Sequence, residues 1–111
     1  MAHKSEFRRN EKLRNCLLFD KDHISKVHSP VGDWVLLIHK ALNVWAQSIP
    51  VNPNPLYILK GNVFSEETAE MVRQFKEYYG LLNSKNKIDR IVGKKTVYWL
   101  DRELPAEPFD P

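Results

Sequence analysis

The sequence predicts an all-α fold, a small three-helix bundle with a shorter helix ahead of it. Three observations predict it. Apolar residues recur at spacings of three and four in three separate stretches, which puts them on one face of a helix. Each stretch is bounded by residues that start or stop helices. The segments between are rich in Pro, Gly and Asn, where no helix continues.

The first element is the weakest. Phe7, Leu13, Leu17 and Leu18 form a sparse stripe over Glu6 to Leu18, with charges between them. Asp20-Lys21-Asp22-His23 reads as a turn. Ser29-Pro30-Val31-Gly32 is a second break, because Pro fixes φ and Gly permits values that other residues avoid. Asp33 is the expected N-cap of a helix over 33–47. Val35, Ile38, Leu42 and Trp45 make its stripe, and Leu37, Ala41 and Val44 widen it, so this helix belongs at the centre of the core.

Ile49 to Pro55 holds three prolines and is a surface loop. Leu56-Tyr57-Ile58-Leu59 is either a strand-like segment or a turn packed on the core, and four residues do not decide between them. Ser65 is the expected N-cap of a helix over 65–79, with Glu66 and Glu67 in its first turn, where the helix dipole favours negative charge. Ala69, Val72, Phe75 and Tyr79 face inward, and Gly80 ends the helix as its C′ residue. The last helix spans 94–103 after Gly93, with Val97, Leu100 and Leu104 inward, until Pro105 stops it. Residues 1–30 are then a helical extension and linker, 31–104 the domain, and 105–111 a Pro-rich tail.

Composition narrows the function classes. No stretch reaches the roughly 20 apolar residues that cross a bilayer, so no membrane insertion is expected. Met1 to Glu11 lacks the apolar core of a secretory signal, which leaves the localisation open. The net charge is +3, with basic residues gathered at Arg8–Arg14 and Lys85–Lys95 among acidic ones. Glu66, Glu67 and Glu70 on the middle helix would repel phosphate, which argues against nucleic acid despite the three-helix outline.

No cofactor and no catalytic set is expected. Cys16, His23 and His28, with Asp20 and Asp22, do not have zinc-ligand spacing. Nor does a Gly-rich oxyanion loop accompany them for nucleophilic chemistry. The one cysteine excludes an internal disulfide. Trp34, Trp45, Tyr57, Tyr78, Tyr79 and Trp99 are more large aromatics than a three-helix core holds, so some sit at the surface, where they serve sugar faces and protein interfaces. Tyr78 and Tyr79, being adjacent on a helix, cannot both point inward.

Three blocks in order carry a family resemblance: Gly32-Asp33-Trp34-Val35-Leu36-Leu37-Ile38-His39-Lys40-Ala41-Leu42, then Phe64-Ser65-Glu66-Glu67-Thr68 through Val72-Arg73-Gln74-Phe75-Lys76 to Gly80-Leu81, then Asp89-Arg90-Ile91-Val92-Gly93-Lys94-Lys95-Thr96. Together they resemble the peptidoglycan-binding-like domain family over about Val31 to Leu104. The resemblance implies a non-catalytic three-helix module that carries bacterial proteins to cell-wall peptidoglycan. A second implication is a protein-docking module of a secretion or contractile injection apparatus that reuses the fold. Within the blocks, Gly93 is expected to allow a tight turn into the last helix, and Thr68 and Thr96 to serve free backbone groups in first turns.

This sequence departs from the family at four polar positions. His39 and Lys76 stand where the family has glutamine, and Ser65 and Arg90 where it has glycine. Trp34, His39, Arg73, Lys76 and Tyr79 are the expected ligand-binding residues, on one shallow face between the first two core helices where His39 and Lys76 approach each other. Arg73, Lys76 and Tyr79 recur at threes along one helix edge, and His39 sits at the rim of the stripe beside Ile38. Cationic groups there suit a stem-peptide carboxylate or an acidic protein surface better than a neutral sugar. The basic loop around Arg90 and Lys94 is the next candidate.

Overall fold

The computed structural model describes residues 9–18, 23–50 and 53–104. Its helices, among the described residues, are α1 (Glu11–Leu18), α2 (Asp33–Ser48), α3 (Glu66–Tyr79) and α4 (Lys94–Asp101). No strand is present there, only two isolated antiparallel bridges, and the chain is all-α. The expected helix start at Glu6, Phe7, the side chains of Leu17 and Leu18, the Asp20 to Asp22 turn and the tail 105–111 lie outside the described residues.

The three stripes bury as their spacing dictates. Val35, Ile38, Leu42 and Trp45 of α2, Ala69, Val72 and Phe75 of α3, and Val97 and Leu100 of α4 are all core residues. α2 lies against both α3 and α4, which is the central position that its wide stripe requires. α1 packs on α4 and contributes Leu13 and Cys16 to the same core, with Asn10 Oδ1 accepting from Leu13 N at 3.2 Å to cap its first turn. Of the aromatics, Trp45, Phe64 and Phe75 are buried, while Trp34, Tyr79 and Trp99 pack against the core's edge. Tyr78 is 45% exposed, so the adjacent pair divides as expected.

The helix ends show which local signals hold. Ser65 caps α3 by accepting from Thr68 N at 3.2 Å, and Ser65 N donates to Thr68 Oγ1 at 3.1 Å, closing a capping box. Gly80 takes the left-handed conformation, φ 67°, and sends its N–H back to α3. Three expectations need correction. Asp33 is not the N-cap of α2; Gly32 is, and Asp33 opens the helix with no capping bond. Trp34 folds its ring over Gly32, where any Cβ would overlap the indole, and its Nε1 donates to Ser29 O at 2.9 Å. Gly93 is extended, φ −105°, with open space where a Cβ would stand, so the turn into α4 does not need glycine. α4 also ends earlier than expected, at Asp101. Arg102 N and Glu103 N reach back to Trp99 O and Leu100 O, tightening the last turn until Leu104 is buried.

Two short pairings place the helices. Ile24 and Val92 exchange both backbone bonds at 2.9 and 2.8 Å, and Cys16 Sγ adds to Val92 O at 3.4 Å. Gly32 N and Phe64 N bond to Asn62 O and Pro30 O, so the lead-ins of α2 and α3 lie side by side. The 56–59 run is an extended segment held by a polar edge of α2. Asn43 gives its amide to Leu59 O and takes Leu59 N, much as a neighbouring strand would. One turn earlier, His39 is 3% exposed and holds the Gly61 turn. Gly61 O can only accept, so Nδ1 carries the proton. Nε2 therefore accepts from the Thr68 hydroxyl at 2.8 Å.

Thr68 thus serves the α3 cap and His39 at once. Thr68→Val keeps the shape but strips the Ser65 N–H and His39 Nε2 of their partner. It is expected to cost about 1–3 kcal/mol in urea unfolding, more than the roughly 1 kcal/mol for a cap loss such as Ser65→Ala.

His39 also predicts a pH dependence. Burial lowers its pKa from 6.5, against the raising effect of the Gly61 and Lys60 carbonyls. The unfolded chain then binds a proton that the folded chain refuses. The stability from neutral His39 is complete above pH ~6.5 and is lost as pH falls through the lowered value. His39→Gln keeps one donor and one acceptor but does not titrate. Unfolding midpoints measured from pH 7.5 down to 5 should decline less steeply in this variant than in the wild type.

Candidate functional site

Among the depressions formed by the described residues, one of about 470 Å³ runs between the end of α3, the 81–91 loop and the start of α4. Lys76 forms its floor. Its side chain reaches under the loop, where the ammonium binds the Asp89 carboxylate and donates to Ile91 O at 2.9 Å. Asp89 also accepts from Asn83 Nδ2 and Ile91 N, each at 3.0 Å. Burial pushes the Asp89 carboxyl up, but the bonds from Lys76, Asn83 and Ile91 N outweigh it and leave it below the usual carboxylate range.

The loop over Lys76 is organised by Asn83. Its Oδ1 accepts from Lys85 N and Lys87 N at 2.9 and 3.1 Å, so one side chain folds the loop and orients Asp89. Lys94 and Lys95 stand exposed at the rim with Leu82, Ile91 and His23. α4 opens with no side-chain cap, so the free N–H groups of its first turn border the cleft. Three lysines against one aspartate leave this cleft with two positive charges.

Arg90 is spent elsewhere. It bonds Glu66 at 2.6 Å and reaches Glu70 at 3.6 Å, while Lys26 takes the other oxygen of Glu66. Lys26 first and then Arg90 hold the Glu66 carboxyl below its ordinary value. The basic loop is therefore part neutralised, and the exposed charge that borders the cleft is that of Lys94 and Lys95.

A second cleft of about 280 Å³ is walled by Trp45, Arg73, Gln74, Glu77 and Tyr78 of α2 and α3 and by Pro53 and Asn54. A third, about 330 Å³, lies over His39, Ser65, Glu67 and the 56–60 segment.

The five expected ligand residues do not assemble into one face. His39 lines the third depression, Arg73 the second and Lys76 the first, and Trp34 and Tyr79 line none of these three. His39 is bonded at Thr68 in the first turn of α3, whereas Lys76 is in its last turn, eight residues or ~12 Å further along the axis. Each polar group already has an internal partner. Trp34 Nε1 is on Ser29 O. Arg73 grips Glu70 at 3.1 and 2.7 Å and Glu77 at 3.4 Å; the Glu70 bond, chief among these contacts, raises its pKa. Tyr79 stacks on Trp99 at 4.8 Å and donates to Glu103 at 2.9 Å, and burial followed by that bond pushes its hydroxyl up to about 12.

Sequence reasoning did reach Lys94 as the next candidate, but it missed Asn83 and the Trp45–Gln74–Tyr78 wall. The Asn83-x-Lys85 and Asn83-x-x-x-Lys87 spacing is a local turn signal that was available. Among the described residues, no three His, Cys, Asp or Glu groups are placed to hold a metal ion. Cys16 is buried on Val92 O, and His23 stacks on His28 with ring centres 4.4 Å apart. Asp20 and Asp22 lie outside the described residues.

Comparison of the chain with family models, with curated proteins and with solved structures finds no match.

Proposed function

We propose that this chain is a non-catalytic binding module for bacterial cell-wall peptidoglycan, and that it takes an anionic stem peptide in the cleft between α3 and α4. The observation that carries the reading is the charge of that cleft. Lys94 and Lys95 stand exposed at the rim, while the one carboxylate within it, Asp89, is already bound by Lys76 and Asn83. A ligand carboxylate arriving there meets two lysines and the free N–H groups that begin α4, a combination that attracts anions. The three blocks that resemble the peptidoglycan-binding-like family support the same class of ligand.

In this reading the family's glutamine position at Lys76 has become a cleft floor rather than a contact. Lys76 is 6% exposed, and its ammonium holds the loop that shapes the site. The module brings its ligand close and holds it; no residue is assigned to bond making or breaking.

A second reading, docking onto an acidic protein surface within a secretion or contractile injection apparatus, is favoured by one observation. Leu82 and Ile91 are exposed apolar residues on the same basic rim, a mixture that suits a protein interface.

Co-sedimentation with purified sacculi tests the proposal. The wild type should pellet with them, and the bound fraction should fall as salt rises, because exposed charges are screened. Lys94→Glu/Lys95→Glu puts negative charge in a first helical turn, where it suits the dipole, so the fold should survive. Binding of this variant should weaken about tenfold or more, a loss of ~1.4 kcal/mol or greater. A folded wild type that stays in the supernatant at low salt would refute wall binding and leave the docking reading.

A further inference from the structure

The second cleft holds a feature that folding does not explain. Trp45 lines it, is 1% exposed, and its indole N–H has no hydrogen-bond partner. A buried donor without a partner costs about 1–3 kcal/mol, so such groups are rare in folded proteins and invite an acceptor. The nearest lining groups are otherwise committed. Gln74 takes Asn54 N and donates to Pro55 O and Glu70, which pins the far rim of the cleft onto α3. Tyr78 is different. Its ring stands edge-on to Trp45 at 5.8 Å and is half exposed, with no hydrogen bond on its hydroxyl among the described residues. It makes edge-on ring contacts with Trp45 and Tyr79, and because the indole N–H is closed to solvent, a ligand that bonds it must displace part of the cleft wall.

From this we infer that the Trp45–Tyr78 cleft binds the acetamido group of an N-acetylated amino sugar. The carbonyl oxygen accepts the Trp45 indole N–H. The methyl group packs on Ile49 and Pro53, and the sugar ring lies against Tyr78. The chemistry of the walls selects this class. The indole only donates, so the ligand must present an acceptor. The ligand atom is neutral, because the cleft is: Arg73 is paired by Glu70 and Glu77, and Glu77 itself faces the cleft and repels carboxylates. At about 280 Å³ the cleft is at the small end of ligand sites and suits one sugar unit. Exposed tyrosine is a usual platform for the apolar face of such a ring. The inference rests on the wall-binding reading for the choice of sugar over peptide amide, and it adds a neutral glycan subsite remote from the lysine cleft.

The test is NMR titration of the ¹⁵N-labelled full chain, followed at the indole N–H resonances. Trp34→Phe and Trp99→Phe, each partly buried rather than central, identify the Trp45 signal by elimination. The probes are the trimer of N-acetylglucosamine, its fully deacetylated counterpart, and N-acetyl-alanine amide. The acetylated trimer should shift the Trp45 signal saturably and the deacetylated trimer should not. Tyr78→Ala, at an exposed position that leaves the core intact, should weaken the acetylated trimer about fivefold. A Trp45 signal unmoved by the acetylated trimer, or moved as much by the deacetylated trimer or by N-acetyl-alanine amide, overturns the inference. Sacculus binding without a Trp45 shift would sink this subsite while leaving the wall-binding proposal standing. A saturable Trp45 shift in a protein that ignores sacculi would do the reverse.

Discussion

A lysine ammonium drawn out of water costs several kcal/mol unless nearby groups replace its hydration. Lys76 meets that condition through two partners beyond its own helix, the Asp89 carboxylate and the Ile91 carbonyl. Both belong to the loop that joins α3 to α4. Because the charge cannot be left bare, the loop must close over it, and Asn83 sets the loop shape that lets Asp89 reach. The next residue, Val92, then pairs with Ile24 and accepts the Cys16 thiol, which anchors the N-terminal segment and α1 against α4. Lys94 and Lys95 follow directly, so the same ion pair that closes the loop also sets the position of the open cleft.

The other end of α3 repeats this logic with neutral groups. His39, Thr68 and Ser65 form a chain of hydrogen bonds that joins α2, the Gly61 turn and the α3 cap. The first and last turns of α3 are thus both fastened by polar side chains of low exposure, and its apolar face between them can be filled by Phe75, Val72 and Ala69. Surface pairs such as Lys26–Glu66 and Arg90–Glu66 add little stability, being exposed, but they cancel charge around the first turn of α3.

The fold was legible where burial alone decides it. Helical spacing located Val35 to Trp45 and Ala69 to Phe75, because one face of each helix must leave water. Ser65 and Gly80 were legible because a cap and a left-handed turn have local chemical requirements. Asp33 misled because the ring of Trp34, a tertiary choice, claims the space over Gly32. The site was less legible for a related reason. His39 and Lys76 look like rim residues of their helices, but their partners lie 22 and 13 residues further along the chain, beyond any helical period. A polar residue beside an apolar stripe does not declare whether it faces a ligand or a loop folded over it. The unpaired indole of Trp45 left no trace in the sequence, since a tryptophan within a wide apolar stripe reads simply as core.

The central claim, that one buried ion pair closes the second half of the fold, is most directly tested by a double-mutant cycle. Lys76→Met, Asp89→Asn and the double variant would be compared by urea unfolding. Asp89 is 26% exposed, so each single change should cost less than the 3–5 kcal/mol of a fully buried pair, about 2–3 kcal/mol. Asp89→Asn should be the worse of the two, because it strands the ammonium. The double variant should cost no more than that single change, giving a coupling at least as large as the cost of Lys76→Met, about 2 kcal/mol or more. Additive losses, with no coupling between the two sites, would contradict the account.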